Sequence, residues 1–160
     1  MRFPGPTHLV ILSRGYAAEA LDWTRKVMTR IGLTLNEAKT SIKQARRERF
    51  DFLGYTLGPH RFRKNGYLYI GASPSNKSVS RLRQKVGDLL VRYNVTPWPE
   101  VRDHLNRILR GWSNYFGFGT RLMAYRAVDN YVYDRVRNFM QHRHKVSSVA
   151  PRILFWLRSE

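Results

Sequence analysis

The sequence predicts an α+β fold. A small mixed part over residues 1–75, one helix with a β-hairpin or short antiparallel strands, precedes a three-helix bundle over 76–145, and residues 146–160 form a tail. Three observations carry this. Leu105 to Phe116 reads LNRILRGWSNYF, and with Val101 its apolar residues Leu105, Ile108, Leu109, Trp112, Tyr115 and Phe116 fall within about a third of a helix circumference. Helical stripes of the same kind lie on either side of it. Upstream, Phe50 to Leu57 (FDFLGYTL) and Gly66 to Ala72 (GYLYIGA) alternate and are rich in aromatics, as half-buried strands are.

Taken in order, MRFPGPTH is broken by proline and glycine, and the short apolar run Leu9 to Leu12 suits a buried strand. After Gly15, the residues Tyr16, Ala20, Trp23, Val27 and Ile31 share one helical face, Asp22 and Lys26 form an i,i+4 pair outside it, and Gly32 supplies the stop. Lys39 to Ala45 reads as a strand, followed by the cluster Arg46, Arg47 and Arg49. Gly58 and Pro59 break the pattern between the two aromatic strands, leaving a basic loop with Arg61, Arg63 and Lys64.

Beyond the polar Ser73 to Asn76, Val79, Leu82, Val86, Leu89 and Tyr93 form one stripe, with Ser75 or Asn76 as N-cap and Lys77, Arg81, Lys85 and Arg92 opposite. VTPWPE separates this helix from the next, whose first turn takes Pro99. GFGT then leads to a third helix that Thr120 caps, with Tyr125, Val128, Val132, Val136 and Phe139 on its core face. Both connections are short, so the helices pack up-down-up. Trp112 lies near the centre of its apolar arc and is expected in the core rather than as a stacking platform.

Charge narrows the partners. The chain carries 29 Lys and Arg against 11 Asp and Glu, a net charge of +18. The excess is spread: 13 basic against 5 acidic residues over 1–76, and 14 against 5 over 77–145. A basic tail on a neutral domain is thereby excluded, and a polyanion, nucleic acid first, is the expected partner. With no cysteine, neither a disulfide framework nor a thiolate metal site is available. No apolar run approaches the roughly 20 residues of a membrane span and the N-terminus lacks a signal-peptide layout, so a cytoplasmic protein without membrane partners is expected.

The outer face of the third helix is the best interaction surface in the sequence. Arg126, Asn130, Tyr133 and Arg137 fall on one stripe, where arginines bridge phosphates, the tyrosine stacks and the amide reads an edge. The alternative, a solvated face whose tyrosine covers the flank of the bundle, stays open. HRHK at His142 to Lys145 extends the positive end. The five histidines are scattered or misaligned for a metal, no pair of acids resembles a two-carboxylate or two-metal centre, and no glycine-rich phosphate loop is present. No catalytic residue and no metal ligand is assigned.

At LNRILRGWSNYF the chain resembles the maturase-specific (thumb, or domain X) region of group II intron reverse transcriptases. SPSNKSVSRLRQKV before it and YRAVDNYVYDRVRNFMQHRHK after it agree, while GLTLNEAKT at Gly32 to Thr40 and FDFLGYTLG at Phe50 to Gly58 resemble the last palm motifs of those enzymes. One departure stands out. The family's Tyr-Ala-Asp-Asp, whose aspartates hold catalytic magnesium, is matched here by Gly5, Pro6, Thr7 and His8. Two-metal nucleotidyl transfer would have no ligands there, so no cofactor and no polymerase activity are expected. The fingers, most of the palm and the C-terminal DNA-binding and endonuclease extension are expected to be absent, leaving a palm end and a thumb.

The resemblance implies binding of structured intron RNA in support of splicing. By it, Asn36, Lys39 and Thr40 match the palm motif near primer and template, and Arg110, Ser113 and Asn114 match the maturase motif. Helical geometry adds Arg107 on the same outer face, with Arg81, Lys85, Arg126, Asn130, Tyr133 and Arg137, and the basic loop adds Arg61, Arg63 and Lys64. Two other readings remain: a pseudogene-like remnant that serves no RNA, and one part of a split RNA-directed DNA polymerase. Oligomeric state is left open.

Overall fold

The computed structural model describes residues 8–62 and 64–144. Its order is α1 (Ala17–Arg30), a 3-10 turn (Glu37–Lys39), β1 (Phe50–Phe52), β2 (Tyr55–Arg61), β3 (Leu68–Pro74), α2 (Asn76–Leu89), α3 (Trp98–Tyr115) and α4 (Leu122–His144). The α+β architecture is as expected: a helix, a three-stranded antiparallel sheet, then three helices.

The core belongs to the bundle. Leu82, Val86 and Leu90 from α2 and its C-cap meet Val101, Leu105 and Leu109 of α3 and Val128, Val132, Val136 and Phe139 of α4 in one cluster of buried side chains. All five expected core positions of α4 are buried. Trp112 packs at the edge of this core, its ring 5.0 Å from Phe116 and 5.3 Å from Tyr125. Trp98 pairs with Phe139 at the other end, so α3 runs antiparallel to α4. Ser75 caps α2 as expected, its Oγ accepting from the Ser78 amide. Pro99 sits in the first turn of α3, where its missing N–H has no helical acceptor to lose.

Arginines tie α2 to α4. Arg83 donates to the Ala127 carbonyl and lies over the Tyr131 ring, while Arg135 donates to the carbonyls of Gly87 and Leu90 at the end of α2. The pairs advance together along both helices, which are therefore parallel, as up-down-up packing requires. Gly87 makes room for this contact: a Cβ there would lie 3.1 Å from the Tyr131 hydroxyl. Arg143 closes the far end on the carbonyls of Thr96 and Val95.

The sheet order is β1-β2-β3. FDFLGYTL, expected as one strand, is itself a hairpin: Phe52 pairs with Tyr55 across Leu53 and Gly54, whose φ angles of 46° and 80° give a turn that matches strand twist. Gly58 and Pro59, expected as breakers, lie inside β2, paired with Gly71 and Ile70. The glycine is needed because a Cβ would come 2.8 Å from the Glu48 carbonyl. The basic loop consequently shrinks to residues 62–67.

This sheet is fastened to the bundle. The Tyr55 hydroxyl donates to the Tyr115 carbonyl, and the Tyr115 hydroxyl donates back to the Leu53 carbonyl. Ser78 Oγ donates to the Gly54 carbonyl. Thr120, expected as a helix cap, instead shares a 2.8 Å hydrogen bond with the Tyr69 hydroxyl and donates its amide to the Ala72 carbonyl. Next to it, Gly119 has φ 79°, and a Cβ would lie 2.3 Å from the Ala72 oxygen. Gly119→Ala is therefore expected to cost at least about 1–2 kcal/mol from the left-handed backbone alone, and more from the clash, read as a lowered Tm.

The N-terminal part departs most from expectation. Leu9 to Leu12 is not a strand, and Leu9, Ile11 and Leu12 are exposed. In α1 the expected inner face is reversed at its centre: Trp23 is 66% exposed, while Thr24 is buried with its hydroxyl on the Ala20 carbonyl. Asp22 pairs with Arg25 rather than Lys26. Arg25 also grips both oxygens of Glu37, tying the 3-10 turn to α1. Lys39 to Ala45 forms no strand; the 3-10 turn takes its start. Tyr93, expected on the α2 stripe, lies past the end of the helix and is 83% exposed. The common cause is that periodicity marks a face able to be buried without saying what covers it. Gly5, Pro6, Thr7, Arg63, Lys145 and the tail fall outside the described residues.

Candidate nucleic-acid interface

The exposed side of α3 organises the basic surface. Val101, Leu105 and Leu109 point into the core, and at about 100° per residue Arg107, Arg110 and Asn114 stand on the opposite side of the helix. All three are exposed. They form the outer crest of α3.

The other two helices add cations. On α2, Arg81 and Lys85 are exposed on the side away from Leu82 and Val86, and Lys77 continues the row toward the N-terminus. On α4, Arg126, Asn130, Tyr133 and Arg137 are all exposed, with Tyr133 at 40%. Helical phase sets this stripe apart from the flank of α4 bearing Tyr131 and Arg135, which faces α2. The expected residues of the bundle are thus exposed on the outer faces of its three helices. Ser113 is the exception: it is half-buried, its hydroxyl donates to the Arg110 carbonyl, and its own carbonyl accepts from Tyr125. Its geometry serves the end of α3.

The expected residues outside the bundle form a separate group. Asn36 and Lys39 are exposed around the 3-10 turn, and Thr40 is half-buried with its hydroxyl on the Asn36 carbonyl. Arg61 and Lys64 are exposed at the far end of the β2–β3 hairpin. Arg63 lies outside the described residues. Near them Arg49 donates to the Pro59 carbonyl, and burial together with the Arg49 charge pushes the His60 imidazole below its ordinary pKa.

Summed charge does not distinguish cations that face solvent from those that hold the fold. Arg83, Arg121, Arg135 and Arg143 are each half-buried, and each donates to backbone carbonyls. Arg121 reaches the Gly117 carbonyl in the α3–α4 turn and lies over the Tyr125 ring. Arg107, Arg126 and Arg137 are exposed, without competing carboxylates among the ion pairs of the described residues. At neutral pH such a surface attracts a polyanion over roughly a Debye length, about 8 Å in physiological salt.

Among the described residues, no three His, Asp or Glu side chains converge on a shared centre that could hold a metal ion. No helix among them is long and apolar enough to cross a membrane. A concavity of about 390 Å³ opens between the end of α2 and the start of α3 and is lined by Glu100, Asp103, His104 and Arg107 among others. Its mixed charge does not extend the basic face.

Residues 79–154 match the family described as group II intron, maturase-specific domain. The span begins in the first turn of α2 and takes in α3 and α4, the elements that carry these exposed faces. No curated protein matches the chain.

Proposed function

Starting from this match, we propose that the chain binds structured group II intron RNA in support of splicing, through the crest of α3 and the outer faces of α2 and α4. The observation that carries the reading is the coincidence of the matched span with the surface where Arg81, Lys85, Arg107, Arg110, Arg126 and Arg137 stand exposed. Arginines and lysines neutralise phosphates, while Asn114, Asn130 and Tyr133 supply directional contacts to sugar or base. Recognition rests on the shape of folded RNA more than on base sequence.

Residues 1–75 lie outside the matched span. The motifs GLTLNEAKT and FDFLGYTLG support their descent from the palm end of the same enzymes, with Asn36, Lys39, Thr40, Arg61, Arg63 and Lys64 as secondary RNA contacts. In this reading the chain carries out no nucleotidyl transfer, and a primer-extension assay with magnesium is expected to yield no product.

The decisive experiment is a salt-titrated competition between a folded group II intron RNA and a generic hairpin of equal length. The intron RNA is expected to bind more tightly, with log affinity falling by about 0.9 per neutralised phosphate for each unit of log salt in duplex segments. Equal affinity for both RNAs at every salt concentration would reduce the surface to nonspecific electrostatics.

A further inference from the structure

The turn between α3 and α4 presents an aromatic ring that the fold does not use. Phe118 is 81% exposed, although its neighbour two residues back, Phe116, is buried against Tyr55 and Trp112. Full burial of a phenylalanine is worth about 1.5–3 kcal/mol, so packing does not account for this position. Nor is the turn free to fold the ring inward. Gly119 lies against the Ala72 carbonyl, which also accepts the Thr120 amide. The Thr120 hydroxyl is bound to Tyr69, Arg121 holds the Gly117 carbonyl, and Tyr125 donates to the carbonyls of Ser113 and Phe116. The ring is thus set on a rigid support anchored to the sheet on one side and to the bundle on the other.

Along the chain the ring stands between apolar and cationic side chains. Leu122 and Met123, at the start of α4, are 51% and 72% exposed. Arg110 and Asn114 precede the turn on the crest of α3, and Arg126 follows it one turn into α4. An exposed aromatic ring in a chain of net charge +18 fits the π-face of a nucleobase, whose phosphates the chain's cations attract.

We propose that Phe118 is a stacking platform for an unpaired base, so that the surface recognises RNA helices carrying a bulge, loop or strand end at this point. This rests on the RNA-binding reading above and deepens it by naming the RNA element. An aromatic held in place before binding loses little freedom on engaging the base, which is where such a platform gains its affinity.

The test uses two hairpin RNAs of identical stem, one fully paired and one with a single 2-aminopurine bulge, titrated with the full chain. Wild type is expected to favour the bulged RNA and to quench the 2-aminopurine fluorescence. Phe118→Ala should weaken binding to the bulged RNA by about 5- to 100-fold, leave the paired RNA unchanged and abolish the quenching, while Phe118→Trp retains both. The side chain is exposed, so Tm should not move, and circular dichroism checks that the variants fold. Undiminished binding of the bulged RNA by Phe118→Ala, or an equal loss on both RNAs, would overturn the platform while leaving salt-dependent RNA binding intact. A change in oligomeric state on sedimentation would likewise overturn it, making the ring a protein contact. Absence of salt-dependent binding of wild type to either RNA would instead overturn the RNA reading beneath it.

Discussion

Truncation of Leu105 to alanine is expected to lower the unfolding free energy by about 2–5 kcal/mol. Leu105 is 2% exposed at the middle of α3, inside the cluster to which α2, α3 and α4 all contribute. The loss has two parts: the transfer free energy of the removed carbons and the cavity they leave. Neighbours restrict collapse of that cavity, because Val86, Val101, Val128 and Val132 in the same cluster are β-branched with few alternative rotamers. Against a typical total of about 5–15 kcal/mol, such a loss threatens the folded state of a chain whose buried core, among the described residues, lies in one bundle. Urea unfolding monitored by circular dichroism measures it, with the slope expected to stay constant while the midpoint falls. Tyr93→Ala provides the contrast. At 83% exposed and beyond the end of α2, it is expected to change stability by less than about 0.5 kcal/mol. A loss below about 1 kcal/mol for Leu105→Ala would mean that the cluster is not the cooperative core.

The difference between Leu105 and Tyr93 shows what the sequence makes legible. Both lie on apolar stripes of helical period. In α3 and α4 every such stripe faces two other helices with stripes of their own, so periodicity and burial coincide at Val101, Leu105, Leu109, Val128, Val132 and Val136. Near residue 91 the helix has already ended, and the period continues in the sequence without a helix to carry it. The same reasoning explains α1. Its face of Tyr16, Trp23 and Ile31 is apolar, yet all three are exposed, and helical period alone carries no information about a covering layer. The hairpin at Leu53 and Gly54 was hidden for a different reason: a two-residue turn usually shows Asn-Gly or Asp-Gly, whereas here leucine takes the left-handed position. On the candidate surface, exposure of Arg107, Arg110, Arg126 and Arg137 followed from helical phase. The half-burial of Arg83 and Arg135 did not, because a long side chain on a flank can reach sideways to a neighbouring carbonyl from a position that phase marks as intermediate. Phe118 gave no periodic signal at all, since it lies in a turn.

The two kinds of arginine should separate in one experiment. Arg126→Ala with Arg137→Ala is expected to weaken binding of structured RNA by about tenfold or more at moderate salt and to reduce the salt slope by roughly two units, one lost phosphate contact each. Thermal stability should be unchanged, because both side chains are exposed on α4. Arg83→Ala with Arg135→Ala is expected to do the reverse. These residues supply hydrogen bonds to the carbonyls of Ala127, Gly87 and Leu90, and Arg135 satisfies acceptors at the end of α2 that have no helical donor. Their loss is expected to cost about 1–3 kcal/mol for each site. The lower end is favoured, since the Nε of each is buried without a hydrogen-bond partner and its removal relieves that cost. The salt slope should then stay near the wild-type value under conditions where the protein is folded. The pairing of readouts matters, because a chain of net charge +18 loses some RNA affinity on removal of any arginine through the long-range field. A drop in slope marks lost phosphate contacts, whereas a drop in affinity alone does not. If both double variants reduce the slope equally, the helical faces do not define the interface and the charge acts as a diffuse field. If Arg126→Ala with Arg137→Ala leaves the slope intact, α4 is only a solvated flank, and contact with RNA passes to the α3 crest and the Arg81 and Lys85 face of α2.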